Sequence, residues 1–175
     1  MMRLEDLEEV YRIELDSYPT PWPMKCFTDE LTKNRYARYV VGIAPEGEIA
    51  GYAGMWIIKG EAHITNVAVC PGSRRMRVAE QLLVSQVEYA LARRAKSIYL
   101  EVRRYNLPAQ RLYSRFSFVA TKVRERYYRD NGEDAIELRI RDTSDPKFLS
   151  SLRLRKAELA ERLGGFCGQA SSVVR

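Results

Sequence analysis

"VCPGSRRMRVAEQLL", residues 69–83, joins two local patterns at a basic turn. It comes off an apolar run, turns through Arg74, Arg75 and Arg77, and enters a segment with apolar residues at helical spacing. A strand that ends in a basic turn and opens a helix has the layout of a phosphate site, because the N–H groups at a helix start face an anion. Phosphate loops usually carry glycine where the backbone approaches the ligand most closely. Here the only glycine is Gly72, ahead of the arginines, so an arginine stands where glycine is expected.

Toward the N-terminus, "AHITNVAVC" is apolar enough to be a central strand. "RYVVGIA" and "EIAGYAGMWII", separated by Pro45-Glu46-Gly47, predict a hairpin before it. Leu4, Leu7, Val10, Tyr11 and Leu15 share one helical face, which predicts a helix from about Glu5 to Asp16. "YPTPWP" cannot continue that helix, since three prolines enforce a stiff extended loop. "MKCFTDELTKN" reads as a second, short helix. Only Met1 to Leu4 are available for a strand ahead of the first helix, so that strand is stubby or the start codon lies upstream.

Toward the C-terminus, Val78, Ala79, Leu82, Leu83, Val87, Ala90 and Leu91 recur at helical spacing. "SIYLEVR" follows as a buried strand, and "LPAQRLYSRF" as a helix with Pro108 in its first turn. "SFVATKVRERYYRD", an Asn-Gly turn and "EDAIELRI" predict a closing hairpin. The order gives an α/β (α+β) fold with a mixed sheet, flanking helices and a right-handed βαβ unit in the middle. Residues 1–141 form this domain. Residues 142–175 read as a C-terminal extension, an amphipathic helix stopped by Gly164-Gly165 and then a loose tail, outside what the chemistry needs.

The composition suits one soluble domain: 175 residues, 46% hydrophobic and 30% charged. No apolar run is long enough to span a bilayer, and the N-terminus lacks a signal-peptide layout. Cys26, Cys70 and Cys167 are far apart, with His63 the single histidine, which argues against a disulfide framework and a metal site and for a reducing cytoplasm. The net charge of +6 is uneven, since residues 1–36 hold five Lys/Arg against eight Asp/Glu. A basic body suits an anionic partner, whether a phosphate-bearing cofactor, nucleic acid or the ribosome, although a solvated surface explains the surplus equally well.

"PTPW...F..EL", "NVAV.P..RR.R.A..LL", "YLEVR..N..A..LY...F" and "RYYRDNGEDAIEL" occur in one order over residues 4–140. Together they resemble the GNAT superfamily of acetyl-CoA-dependent N-acetyltransferases, and within it the RimI group of protein Nα-acetyltransferases, a likeness that implies a mixed central sheet with a splayed pair of parallel strands and flanking helices. The superfamily loop is Gln/Arg-x-x-Gly-x-Gly/Ala. Arg74 and Ala79 fit it, and Arg77 takes the place of the first glycine. The resemblance implies that Arg74, Arg75, Met76, Arg77, Val78, Ala79 and Glu80 bind the pyrophosphate of acetyl-CoA. An arginine keeps its N–H and adds a cation, provided the position needs no left-handed backbone. With helical residues following at once, a helical backbone is expected at Arg77.

By the same resemblance, the main chain of Val67, Ala68 and Val69 holds the pantetheine arm, with the Val69 N–H polarising the thioester carbonyl. Their side chains read equally well as core. Glu101 interrupts an apolar strand, and the resemblance makes it the general base, acting through water. An ion pair with Arg103 is the plain alternative. Tyr113 is implied as the acid that protonates the leaving thiolate, or it is a core tyrosine. Asn106 is implied as a cofactor contact and also reads as a helix N-cap. Tyr18, Pro21, Trp22, Tyr127 and Tyr128 are expected to line the substrate groove between the proline loop and the closing hairpin, or to be core and surface stacking.

The activity implied is direct acetyl transfer to a protein N-terminus, ribosomal proteins among the acceptors, without metal or membrane. Nucleic-acid contact is compatible with the charge but not required. Acetylation of a lysine or small amine is the rival enzyme reading. A basic ribosome- or RNA-binding module with a degenerate acetyl-CoA site is the rival of another class.

Overall fold

The computed structural model describes residues 1–164 and 173–175. After a single 3₁₀ turn at Leu4–Asp6 come α1 (Leu7–Ser17) and α2 (Met24–Thr32). The hairpin β1 (Ala37–Ile43) and β2 (Ile49–Ile58) leads into β3 (Glu61–Val69), α3 (Val78–Ala92) and β4 (Ser97–Arg103). Then follow α4 (Leu107–Ser114), β5 (Val119–Arg124), β6 (Ala135–Ile140), α5 (Pro146–Gly164) and the two-residue β7 (Val173–Val174). One seven-stranded sheet has the order β5-β6-β4-β3-β2-β1-β7. Among the described residues its only parallel pair is β3 with β4, joined by the α3 crossover. The mixed α/β architecture expected from the sequence is therefore the one found.

Strand alternation sends side chains to two different covers. On one face Ile98, Leu100 and Val102 of β4 meet Leu83, Val87 and Ala90 of α3, together with Tyr113, Phe116 and Phe118. On the other face Tyr39, Val41 and Tyr52 meet Val10 and Ile13 of α1 and Phe27 of α2. That second cover serves the β1–β3 half. Tyr99, Glu101 and Arg103, on the alternate positions of β4, are only partly buried.

Four details differ from the sequence reading. The stretch before the first helix forms no strand. Met2 donates its N–H to Tyr39 O at 2.9 Å, and β7 pairs with β1 farther along that edge. The tail expected to be loose thus ends in a strand at Val173–Val174, where Val41 and Arg175 exchange two backbone hydrogen bonds of 3.0 and 2.8 Å. Most of the remaining tail, Cys167 included, lies outside the described residues. The closing hairpin has no two-residue turn, because residues 125–134 form a long loop that holds Asn131 and Gly132. Finally, α5 does not stand apart: Phe148 and Leu152 are buried in the same cluster as Leu83, Tyr113 and Phe116.

Candidate active site

The site begins where β3 and β4 part. They pair only from Glu61–Ser97 to His63–Tyr99. Beyond that, Leu100–Arg103 stay bonded to β6, and Asn66–Val69 to β2, so the facing edges diverge. An extra residue bends β3 at this point. Gly54 pairs with Asn66 and Met55 with Ile64, leaving Thr65 as a bulge. A Cβ on Gly54 would stand 2.4 Å from Tyr39 Cε1 and 2.7 Å from Thr65 Oγ1, so glycine is what lets the bulge and the Tyr39 ring coexist.

Hydrogen bonding alternates along an antiparallel pair. Cys70 donates to Ala50 O at 2.9 Å, which places Ala68 among the residues bonded to β2. Val67 and Val69 therefore turn their N–H and C=O groups toward the gap. Tyr18 marks that direction by donating its hydroxyl to Val67 O at 3.0 Å. Ala68, expected to present its main chain to a ligand, faces β2 instead. The buried Asn66 side chain beside this edge has an Oδ1 with no hydrogen-bond partner among the described residues.

The loop from β3 to α3 lies at one end of the gap. Gly42 and Gly51 bring the start of α3 close to the sheet, since a Cβ on either would lie 3.2 Å from Val78 Cγ1. The expected helical backbone at Arg77 is not what the structure has: Arg77 is left-handed, with φ 63° and ψ 14°, and Arg75 has φ 64°. The loop must reverse within a few residues to enter α3 against the sheet, and positive φ accomplishes that. The N–H groups of Arg75, Arg77, Val78, Ala79 and Glu80 find no acceptor among the described residues, whereas Gln81 donates to Arg77 O at 3.1 Å. Free N–H groups around left-handed residues at a helix start form a concave anion cradle. Arg74 is extended and the Met76 side chain is exposed. Arg77 folds back onto Glu80 at 2.9 Å, and Arg115 reaches the same carboxylate at 3.4 Å.

Glu101 is not the lone acid its sequence context suggests. Its side chain is 8% exposed, with Oε2 2.7 Å from His63 Nε2 and Oε1 3.1 Å from the Arg124 guanidinium. Arg124 also binds Glu137 at 2.9 Å. Arg103, the partner considered from the sequence, turns away to Asp130 at 2.8 Å and Glu133 at 3.1 Å, and caps the Tyr128 ring at 3.9 Å. His63 stacks on Tyr99, with centroids 4.4 Å apart and planes 4° from parallel, and meets the Trp56 ring at 5.7 Å. A shallow hollow of about 210 Å³ lined by Trp56, Lys59, Glu61, His63 and Tyr99 opens this row to solvent. Sequence reasoning missed His63 and Arg124 as site residues. A single histidine in an apolar strand was the one available signal, and its partner depends on register.

Tyr113, on α4, is buried edge-on to Phe118 at 5.9 Å. Burial pushes its pKa above the ordinary phenol value, so it stays neutral. Tyr18 and Tyr128 lie near enough that charge on one phenol opposes ionisation of the others. Tyr128 is pushed up to about 12, mainly by burial. Tyr127 and Tyr128 sit in the loop after β5, edge to face at 5.2 Å, and not on a strand. Asn106 caps α4 by accepting the Ala109 N–H at 3.2 Å.

The proline loop is anchored by a residue the sequence reading passed over. Glu14, on α1, is 1% exposed, accepts the Trp22 N–H at 2.8 Å, and also accepts the Tyr52 hydroxyl. Burial pulls its pKa up despite those two donors. Trp22 leans on Phe27 at 5.9 Å and packs against the core cluster while staying partly exposed itself. Pro21 and Tyr18 remain partly exposed.

Comparison with known proteins agrees with this fold. Residues 7–118 match the Acetyltransferase (GNAT) family. A Bacillus subtilis (strain 168) protein, provisionally named a ribosomal protein bS18-alanine N-acetyltransferase, is 45% identical over 77% of this chain and 89% of its own length. The N-alpha-acetyltransferase RimI of Mycobacterium tuberculosis is 33% identical over 72% of this chain and 78% of its own. The crystal structure of the ribosomal-protein-S18-alanine N-acetyltransferase from Escherichia coli superposes with a TM-score of 0.73 at 28% identity, covering 79% of this chain and 89% of that one. By sequence and by fold, the chain belongs to the GNAT family of acetyltransferases.

Proposed function

We propose that this enzyme transfers the acetyl group of acetyl-CoA to the α-amine at the N-terminus of a protein. The observation that carries the reading is the gap between β3 and β4, edged by the main chain of Val67 and Val69 and closed at one end by the cradle of free N–H groups. Acetyl-CoA supplies the activated acetyl thioester. The N–H groups of Arg75 and Arg77 to Glu80 hold its pyrophosphate, with Arg74 and Met76 framing the loop. Val67 and Val69 receive the pantetheine amide groups as a neighbouring strand would, and the Val69 N–H polarises the thioester carbonyl. The unpartnered Asn66 oxygen offers one further acceptor there.

Glu101 takes a proton from the incoming ammonium, through a water. The α-amine has a pKa near 7.7–8.0, so a carboxylate suffices. His63, 2.7 Å from Glu101, carries that proton toward the solvent-facing hollow. Arg124 holds the other carboxylate oxygen in place. The freed amine attacks the thioester carbonyl, forming the C–N bond as the C–S bond breaks; Tyr113 gives its proton to the departing sulfur and is restored by the proton that the attacking nitrogen gives up. Burial raises the phenol's pKa, but it raises that of a thiolate in the same surroundings too, so the transfer stays feasible. Tyr18, Pro21, Tyr127 and Tyr128 line the entry for the peptide. The acceptor is the N-terminus of a ribosomal protein of the bS18 kind, met in the cytoplasm.

Acetylation of an N-terminal peptide library that includes a bS18 N-terminus tests the reading, with mass spectrometry locating the product. Acetyl groups on α-amines are expected. Products confined to lysine ε-amines, or no product, would overturn it.

A further inference from the structure

Glu80 is an acid in the first turn of α3, at the same helix start whose N–H groups form the anion cradle. Its carboxylate is 12% exposed and holds two guanidinium groups from different parts of the chain, Arg77 at 2.9 Å and Arg115 at 3.4 Å. Neither arginine has another acidic partner among the described residues. Arg115 is itself fixed from behind, since Arg155 of α5 donates Nε–H to its carbonyl at 3.1 Å while bonding Glu158 at 2.7 Å. Two cations from separate elements thus converge on one carboxylate beside an electropositive helix end.

We infer that Glu80 is an internal counter-ion of the phosphate site: in the free protein it occupies Arg77 and Arg115, and the phosphates of the cosubstrate take those cations from it. The inference rests on the acetyl-CoA reading above. A carboxylate in the first helical turn and a bound phosphate are stabilised by the same partial charge. They also compete for the same guanidinium donors, and a phosphate offers more oxygens and more charge. Glu80 therefore stabilises the empty loop and opposes the ligand. It keeps the two arginines ordered at the mouth of the cradle, at the expense of cosubstrate affinity.

Calorimetric titration with CoA, at low and high salt, compares the unmodified chain with Glu80→Gln. Tighter binding by the variant is expected, about three- to fivefold at low salt and less at high salt, because added ions screen the released charge. Its ligand-free melting temperature should fall. In an Arg77→Gln/Arg115→Gln background, Glu80→Gln should yield a smaller gain, which ties the effect to those cations. Equal or weaker binding by Glu80→Gln, with the unmodified chain binding normally, overturns the counter-ion. Failure of the unmodified chain to bind CoA overturns the acetyl-CoA reading, and the inference with it. Glu80→Ala serves as a second variant should the glutamine form not fold.

Discussion

Arg75 and Arg77 hold left-handed backbones, which cost a residue with a Cβ about 1–2 kcal/mol each. Glycine removes that cost and returns roughly 0.5–1 kcal/mol as unfolded-state freedom. Arg77→Gly also gives up a partly exposed pair with Glu80, worth a few tenths of a kcal/mol. The balance favours glycine, so differential scanning fluorimetry should find the free protein melting roughly 1–3 °C higher. Arg75→Gly should raise it more, because Arg75 forms no ion pair among the described residues. A lower melting temperature in both variants would contradict the loop geometry. At Glu101, replacement by Gln should lower turnover by about 10²–10⁴-fold while CoA affinity stays within twofold, roughly what loss of a general base costs. His63→Ala should slow turnover less, with the loss eased by small diffusible bases such as imidazole. Glu101 was legible in the sequence because an acid among apolar strand residues needs a reason. His63 and Arg124 were not, because only the registers of three strand pairs bring them to it. The backbone at Arg77 was misread for a related reason: helix propensity describes the residues after the turn and says nothing about how the chain enters it.

Among the elements, periodicity identified α1, α3 and the strands, and the two-residue turn was the error. Asn131-Gly132 carries a hairpin-turn signature, yet side chains claim the loop around it: Glu133 accepts from Arg103 and the Tyr105 N–H, and Asp134 from Arg104 and the Arg126 N–H. Those bonds hold Tyr127 and Tyr128 off the ladder, against Arg124 and Arg103, where a tight turn would have kept them in it. The amphipathic spacing of α5 was also legible, but spacing does not say where a helix docks. Leu152 is buried with Phe116, while Leu154, two positions on, is 61% exposed. Leu152→Ala should cost about 2–4 kcal/mol in urea unfolding, and Leu154→Ala less than about 0.5. Equal effects would mean that α5 lies loosely on the surface. Removal of α5 should accordingly destabilise the fold, and it also removes the Arg155 bond to Arg115.

For the whole molecule, the order of elements was readable because each carried its own local pattern, whereas the parting of β3 from β4 was supplied only by family likeness. The charges on the open face respond to pH as a set. Burial pushes Glu137 up, but hydrogen bonds from Arg124 and Thr121 and the charge of Arg139 outweigh it, leaving its pKa below the ordinary 4.5. A carboxyl depressed on folding stabilises the protein above its unfolded pKa and loses that contribution as the pH falls through the folded value. Glu14 has the opposite sign: its raised pKa favours the fold in acid, and that contribution is lost as the pH rises above 4.5. Thermal melts between pH 6 and 3 should therefore fall toward acid, and more shallowly in Arg124→Gln. Parallel curves would remove Arg124 from the acid response.

The pairing of β7 with β1 has a consequence for colloidal behaviour. β1 reads "ARYVVGI", a strand apolar enough to template another chain if its outer edge were bare. Met2 covers one carbonyl of that edge and Val173–Arg175 cover the far end, with Arg175 locked to Asp6 at 2.6 Å. The opposite edge, β5, needs no such cover, since Lys122 and Arg124 discourage stacking. Light scattering of a chain shortened by its last three residues should therefore reveal concentration-dependent polymers growing from β1, in a protein whose gap between β3 and β4, two strands from β1, is untouched.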